Sequence, residues 1–166
     1  MILFAKLITD KTFTKMSDIK ILNTGKTWVH VSVGPLKSFE GKQFVKEATG
    51  ADSCEISFGS LPSGAAVPFF HSHKANEENY IILSGSGKFQ VNDDVFDIAE
   101  GSVVRVSPGC FRNLKCTSAE PMTYICIQAK SGSLEKYTAE ELKMLTPRPS
   151  LHIYPVFSHD PVFYGN

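Results

Sequence analysis

The sequence predicts an all-β protein, an antiparallel β-barrel of the jelly-roll type with a short C-terminal helix. Between Lys26 and Gln128, short apolar runs are separated by Gly, Pro, Asn and Asp at intervals of about eight to twelve residues, which is typical of sandwiches and barrels. Several of these runs alternate apolar and polar residues, as half-buried strands do. The clear helix signal comes only after them, at Thr138.

Each predicted strand lies between two turn signals. The runs with this pattern are at 28–33, 54–58, 80–83, 88–91, 95–98, 103–106, 112–116 and 122–128. Asn92, Asp93 and Asp94 tolerate left-handed backbone angles, so we expect a hairpin turn between the strands at 88–91 and 95–98. Because aromatic side chains fill small barrels, we expect most of the following residues in the core: Trp28, Phe58, Phe69, Phe89, Phe96 and Tyr124.

The chain is predicted to be a single domain with additions at both ends. Residues 1–50 are read as an extension with strands that join a barrel at 51–130, and residues 131–166 as a short helix and a Pro-rich tail. Thr138 as N-cap and Glu141 three residues later form a capping box, which predicts that helix. Prolines in the tail argue against a central strand there, and its apolar residues indicate that it covers the barrel or a partner subunit.

The overall charge disfavours several classes of partner. Seventeen Lys and Arg balance seventeen Asp and Glu, and the pI is near 7.0. We therefore expect no binding of nucleic acid or of an anionic membrane surface. The first residues show no signal-peptide pattern, and no apolar stretch is long enough to span a membrane. The cysteines form no C-x-x-C pair, so we expect buried free thiols in a cytoplasmic protein: Cys54, Cys110, Cys116 and Cys126.

The segment at 64–85 carries most of the chemistry. His71 and His73 are two residues apart, so an extended strand would place both imidazoles on one face, close enough to share a metal ion. Glu78 opens the next predicted strand, and the neighbouring Glu77 would face away. Two histidines and one carboxylate suit a divalent first-row metal such as Fe(II) and leave open positions for a substrate or dioxygen.

This segment resembles the first motif of the cupins, which is Gly, a spacer, His-x-His, a few residues, Glu, and then Gly. In this chain four residues separate His73 from Glu78, and six separate Glu78 from Gly85. The spacer from Gly64 to His71 holds six residues and is one residue longer than usual. The resemblance covers most of the strand-bearing chain. It implies a cupin barrel, a metal held by His71, His73 and Glu78, and pairing into a homodimer.

The second cupin motif is degenerate in this chain. It contains Pro-x-Gly followed by His and Asn, and the stretch at 101–116 lies at the expected distance downstream. With Gly109 on the glycine of Pro-x-Gly, Ser107 takes the proline position, Arg112 that of the histidine and Cys116 that of the asparagine. In metal-binding cupins this histidine is a fourth ligand. A guanidinium is always charged and has no acceptor atom, so it cannot coordinate a cation.

Two interpretations of Arg112 stay open. In the first, His71, His73 and Glu78 hold a metal whose shell is completed by water, and Arg112 grips an anionic group of the substrate. In the second, Arg112 pairs with Glu78, the metal site is lost, and the barrel binds a ligand by hydrogen bonds and stacking alone. An unpaired buried guanidinium would be very costly, so Arg112 needs a carboxylate, a ligand anion or solvent nearby.

The resemblance implies a site for a small organic ligand, with a metal that would be Fe, Mn, Ni or Zn. If the protein is an enzyme, we expect a metal-dependent oxygenase or isomerase of small molecules. The alternative is a ligand-binding or structural cupin without catalysis. Substrate contacts are predicted at Arg112, at Tyr80 on the face of Glu78, and at Tyr124 and Gln128 on the more polar face of the last strand. The sequence identifies no catalytic residue.

Overall fold

The computed structural model describes residues 19–135, and these form ten strands, one short helix and a 3-10 turn. The helix, α1, is Lys46–Thr49, and the 3-10 turn is Leu36–Ser38. The strands are β1 (Lys20–Thr24), β2 (Val29–Ser32), β3 (Gly41–Phe44), β4 (Cys54–Leu61), β5 (Asn76–Ser84), β6 (Ser86–Val91), β7 (Asp94–Ala99), β8 (Val103–Val106), β9 (Arg112–Cys116) and β10 (Met122–Lys130). The predicted helix at Thr138 and the Pro-rich tail lie outside the described residues. Over this range no helix is long and apolar enough to cross a membrane.

Two antiparallel sheets enclose the core. The five-stranded sheet has the order β3-β4-β10-β5-β8, and the three-stranded sheet has the order β7-β6-β9. Strands β1 and β2 form a hairpin that belongs to neither sheet. The segment between β4 and β5 runs along β9 and makes two bridges with it, Ala66 with Lys115 and His71 with Arg112. This architecture confirms the predicted all-β class and its antiparallel barrel.

Alternation along the strands turns one face of each sheet toward the core. The ring of Tyr80 from β5 meets that of Phe89 from β6 edge-on, with centroids 5.0 Å apart, so the two sheets are in direct contact. The buried apolar cluster between the sheets consists of Leu61, Tyr80, Ile82, Phe89, Ile98, Val106, Leu114, Cys116, Met122, Tyr124 and Cys126. Polar side chains on these same inner faces are therefore directed into the barrel.

Gly59 of β4 makes room for the ring of Tyr124. The two residues are paired across β4 and β10. A Cβ atom on Gly59 would lie 2.3 Å from Cζ of Tyr124, far closer than two carbon atoms approach without a bond. The absence of a side chain on Gly59 thus allows Tyr124 to lie flat against β4 inside the barrel.

Most predicted strands are present, with differences at their ends. The hairpin expected at Asn92 is confirmed, since β6 ends at Val91, β7 begins at Asp94, and Asn92 has a φ of 50°. Strand β5 begins at Asn76, well before the predicted run at 80–83. It extends this far because β10 pairs with it from Asn76 onward, and β8 joins on the other side from Glu78.

The expectation that most of the named aromatic residues lie in the core is wrong for three of them. Trp28 is 52% exposed because it lies on the β1–β2 hairpin, outside both sheets. Phe69, on the segment between β4 and β5, is 59% exposed, and Phe96 on the end strand β7 is 38% exposed. The four cysteines are free thiols, of which Cys116 and Cys126 are buried and the other two are half-buried.

Candidate metal centre

The segment between β4 and β5 fixes two histidines through its backbone. The N–H of Arg112 donates to the carbonyl of His71 at 3.0 Å, and the carbonyl of His73 accepts the N–H of Gly109 at 2.8 Å. The two imidazole rings meet edge-on with centroids 5.6 Å apart, and both side chains are roughly a quarter exposed. The ring nitrogens are therefore held near one another at an opening of the barrel.

Glu78 lies on the inner face of β5 and completes a group of three. It is only 4% exposed and pairs with Gln128 of β10 and Val106 of β8. Its Oε1 is 3.0 Å from Nε2 of His73, and its Oε2 is 3.9 Å from Nε2 of His71. One nitrogen from each histidine and one oxygen of Glu78 all lie within 4.8 Å of one another. The structure thus brings together the three residues predicted as ligands.

The second oxygen of Glu78 is held by protein groups. Tyr80 donates its hydroxyl to Oε2 at 2.5 Å, and Nε of Arg112 donates to the same oxygen at 2.9 Å. Nη2 of Arg112 is 2.6 Å from Oε2 in an ion pair rather than an aligned hydrogen bond. Nη1 donates to the carbonyls of His71 and Cys110, each at 3.3 Å. Arg112 is 1% exposed, so its guanidinium is occupied by acceptors of the protein itself.

These contacts keep Glu78 ionised. Burial alone would raise the pKa of Glu78, but hydrogen bonds from Tyr80 and Arg112 and the charge of Arg112 lower it to about 2. Burial and the adjacent carboxylate raise the pKa of Tyr80 above its usual range, so its hydroxyl keeps its proton and remains a donor. Burial and the charge of Arg112 lower the pKa of His71. A neutral imidazole next to a carboxylate is the protonation state that metal binding requires.

The remaining ring nitrogens differ in their surroundings. Nε2 of Gln128 lies 3.4 Å from Nδ1 of His73, and a half-turn of the amide would present its oxygen there instead. That oxygen would accept a hydrogen bond from a protonated Nδ1 and leave Nε2 free as a ligand. Nδ1 of His71 is buried without a hydrogen-bond partner in the described part of the chain. The orphaned nitrogen shows that the hydrogen bonds of the protein alone do not satisfy the His71 ring.

The geometry fits a divalent first-row metal. Two ligands at right angles, each about 2.1 Å from a metal, lie roughly 3 Å apart. Oε1 of Glu78 and Nε2 of His73 are separated by 3.0 Å. Two imidazoles and a carboxylate oxygen also match the donor preferences of Fe, Mn, Ni and Zn. His71, His73 and Glu78 could therefore supply three ligand atoms to such an ion.

The other predicted contacts surround this group. Tyr80 and Tyr124 are 2% and 3% exposed with ring centroids 6.1 Å apart, and Gln128 is half-buried beside His73. Cys126 lies between them on β10. Burial and the charge of Glu78 raise the pKa of Cys126 to about 12, so it remains a neutral thiol.

Sequence reasoning missed Lys42 and Phe44 of β3, which share the inner face with Tyr124 and Cys126. Their alternation spans only four residues, too short a signal to recognise in advance. Phe69, expected in the core, lies instead at the opening, with its ring centroid 5.5 Å from that of His71.

Comparison with known proteins identifies the family. The sequence matches the family model described as Cupin domain over residues 57–128. A cupin protein from Bacteroides fragilis is 30% identical, with a TM-score of 0.62, over 79% of this chain and 100% of that chain. This chain belongs to the cupins. The cupin domain of Cnp3 from Schizosaccharomyces pombe shares the fold at 22% identity and a TM-score of 0.50, over 62% of this chain and 72% of that one. None of the curated proteins compared with it matches.

Within the cupin pattern, Arg112 is the main departure. Its backbone is bridged to that of His71, so the residue aligned with the histidine of the second motif lies beside the candidate metal ligands. Its side chain contacts Glu78 from the inner face of β9. The ion pair offered by the second interpretation is therefore present. Arg112 contacts Oε2, and one oxygen of Glu78 still lies within 4.8 Å of a nitrogen of each histidine.

Proposed function

We propose that this cupin binds a divalent first-row transition metal through His71, His73 and Glu78 and takes a small organic ligand beside it. The observation that supports this best is that the two oxygens of Glu78 have different partners. Oε2 is held by Tyr80 and Arg112, whereas Oε1 is directed at His73. A carboxylate fixed in this way offers a single, oriented ligand atom.

The side chains around Glu78 would hold it in the charge state and orientation that metal binding needs. Arg112 and Tyr80 keep Glu78 ionised and prevent its rotation, since they hold one oxygen from two directions. A divalent metal bound here would polarise an oxygen of the ligand or bring dioxygen beside it. Both kinds of chemistry agree with an oxygenase or isomerase of small molecules.

A second candidate function is a cupin that binds its ligand without metal. The ion pair between Arg112 and Glu78 favours it, because the guanidinium already neutralises the carboxylate and repels a cation. In this case His71 and His73 would act as hydrogen-bonding groups of the pocket. The two candidates differ in whether the protein takes up metal at all.

Metal content separates the two candidates. The protein is purified without chelator and offered Fe(II), Mn(II), Ni(II) or Zn(II), and bound metal is measured by mass spectrometry. We expect about one ion per chain in the parent and none in a variant carrying both His71→Ala and His73→Ala. We expect no metal in Glu78→Gln either, and Glu77→Gln is its matched control, since Glu77 faces away from the site and pairs with Arg105 at 2.7 Å. Absence of metal from the parent under all four conditions would select the metal-free function.

We also propose that the chain forms a homodimer, as expected from the cupin resemblance. Light scattering coupled to size-exclusion chromatography tests this directly. A mass near twice the 18.3 kDa of one chain supports the dimer, and a mass near that of one chain contradicts it.

A further inference from the structure

Lys42 of β3 lies on the inner face of the five-stranded sheet. It pairs with Gly59 of β4, which in turn pairs with Tyr124 of β10. Side chains at paired positions share a face, and Tyr124 is in the core, so the side chain of Lys42 starts on the core side. Phe44 follows two residues later on the same face, opposite Ser57.

The ammonium group of Lys42 is directed along β3 toward the end of the sheet that carries Glu78. Its Nζ is 5.1 Å from the centroid of the Phe44 ring. Phe44 begins a row of paired residues that continues through Ser57 and Cys126 to Tyr80, next to Glu78. A lysine that leans over Phe44 therefore brings its charge toward the candidate metal centre and not toward the opposite end of the sheet.

Lys42 and Arg112, the two cations near the centre, differ in whether they are free to bind a ligand. Within residues 19–135, no ion pair joins Lys42 to a carboxylate, and Lys42 is half-buried rather than enclosed. Glu55, a carboxylate on the same face, accepts the N–H of Lys46 at 3.1 Å. The guanidinium of Arg112 is enclosed and bound to Glu78 and two carbonyls. Of these two cations, Lys42 is thus the one whose charge is not paired with a carboxylate of residues 19–135.

We propose that Lys42 binds the anionic group of the ligand, the role that the sequence suggested for Arg112, and that the ligand is a small organic carboxylate. An ammonium is a compact cation with three donors and suits a carboxylate that arrives from solvent. Phe44 and Phe69 are 54% and 59% exposed, so each offers apolar surface to the hydrocarbon part of such a ligand. This inference rests on the proposed function and names the ligand class of the same site.

In the test, simple carboxylates are titrated into the protein with Co(II) bound. Protein with Co(II) bound is mixed with acetate, oxalate or benzoate, and with the neutral acetamide, oxamide and benzamide, and binding is followed by calorimetry and by the Co(II) absorption bands. We expect at least one carboxylate to bind and its amide to bind much more weakly. Lys42→Met should weaken carboxylate binding about tenfold or more, with Co(II) affinity unchanged, while Lys42→Arg retains most of it.

The control variant is Lys115→Met, which removes an exposed lysine of β9 and should leave carboxylate binding unchanged. Equal carboxylate affinities for the parent and Lys42→Met, or no carboxylate binding by the parent, would overturn the assignment. If the parent takes up neither Co(II) nor any of the four metals named above, the metal function fails, and the same titration is then made on metal-free protein. A loss of carboxylate binding with Lys42→Met in that protein would still support Lys42, and an unchanged affinity would contradict it.

Discussion

Arg112 and Glu78 form a buried ion pair in which two nitrogens of the guanidinium, Nε and Nη2, contact one carboxylate oxygen at 2.9 and 2.6 Å. The contact joins β9 of the three-stranded sheet to β5 of the five-stranded sheet. Because both residues are almost fully enclosed, each needs the other: without its partner, either would be an uncompensated charge inside the barrel.

Replacing Arg112 with Met is expected to destabilise the metal-free protein strongly. Removing one partner of a buried pair costs about 3 to 5 kcal/mol, because the other charge stays buried alone. Urea denaturation followed by fluorescence measures the free energy of unfolding. A variant that replaces Arg112 and Glu78 together with Met and Gln should recover part of the loss. A loss below about 1 kcal/mol for the single variant would show that the pair contributes little.

Replacing Arg112 with His is expected to tighten metal binding. The change removes a positive charge beside Glu78 and supplies a neutral nitrogen at the position of the missing fourth ligand. Competition with a chromophoric chelator gives the affinity for Zn(II) or Ni(II), with Arg105→His as the control for an exposed arginine. An affinity equal to or weaker than that of the parent would mean that a side chain at position 112 does not reach the metal.

Replacing Tyr80 with Phe is expected to cost about 1.5 to 3 kcal/mol of stability, because a buried hydrogen bond to a charged group is lost. Tyr124→Phe is a suitable control. Tyr124 is equally buried and lies beside Tyr80, yet its hydroxyl makes no hydrogen bond with residues 19–135. Denaturation curves for the two variants compare the hydroxyl groups directly, and equal effects would contradict a special role for Tyr80.

Stability of the metal-free protein should fall at acidic pH through Glu78. Its pKa is about 2 in the folded protein against an ordinary value of 4.5, so the unfolded chain binds a proton more readily. The contribution of Glu78 is thus complete above about pH 4.5 and is lost as the pH falls toward 2. We expect the difference in unfolding free energy between the parent and Glu78→Gln to shrink over this window. A difference that stays constant with pH would contradict the lowered pKa.

Replacing Gly59 with Ala is expected to destabilise the barrel by about 1 to 3 kcal/mol, since a Cβ there would overlap the Tyr124 ring. Relief of the overlap by a second change, Tyr124→Leu, should restore part of the stability. Thermal unfolding of the single and double variants measures this coupling. Additive effects of the two changes would show that the ring does not depend on the space at Gly59.

The periodicity of the sequence was enough to separate Glu78 from Glu77, whereas His71 and His73, expected on an extended strand, lie between β4 and β5 outside any strand. A period of two places Glu78 and Tyr80 on one face and Glu77 on the other, and the structure shows Glu77 bound to Arg105 on the outer side. The turn at Asn92 was predictable for the same local reason, because few residues accept a positive φ. Such features depend on residues close to one another in the chain.

Sequence reasoning named the pairing of Arg112 with Glu78 as one of two interpretations but could not choose between them, because the choice depends on distant packing. Arg112 and Glu78 are 34 residues apart in the chain and meet only because the two sheets face each other. A motif shows which residue occupies a position, but not which of several acceptors its side chain reaches. Lys42 is harder still to predict, since its position depends on the pairing of a four-residue strand with β4.

The two consecutive glutamates of β5 also constrain how the barrel assembles. Glu77 has its arginine, Arg105, on one side of the sheet, and Glu78 has Arg112 on the other. A strand displaced by a single residue would turn Glu77 inward and Glu78 outward and would break both ion pairs at once. A one-residue shift of β5 thus loses two ion pairs rather than one. Glu78 and Arg112, which belong to the candidate centre, therefore also help to fix the strand register on which that centre depends.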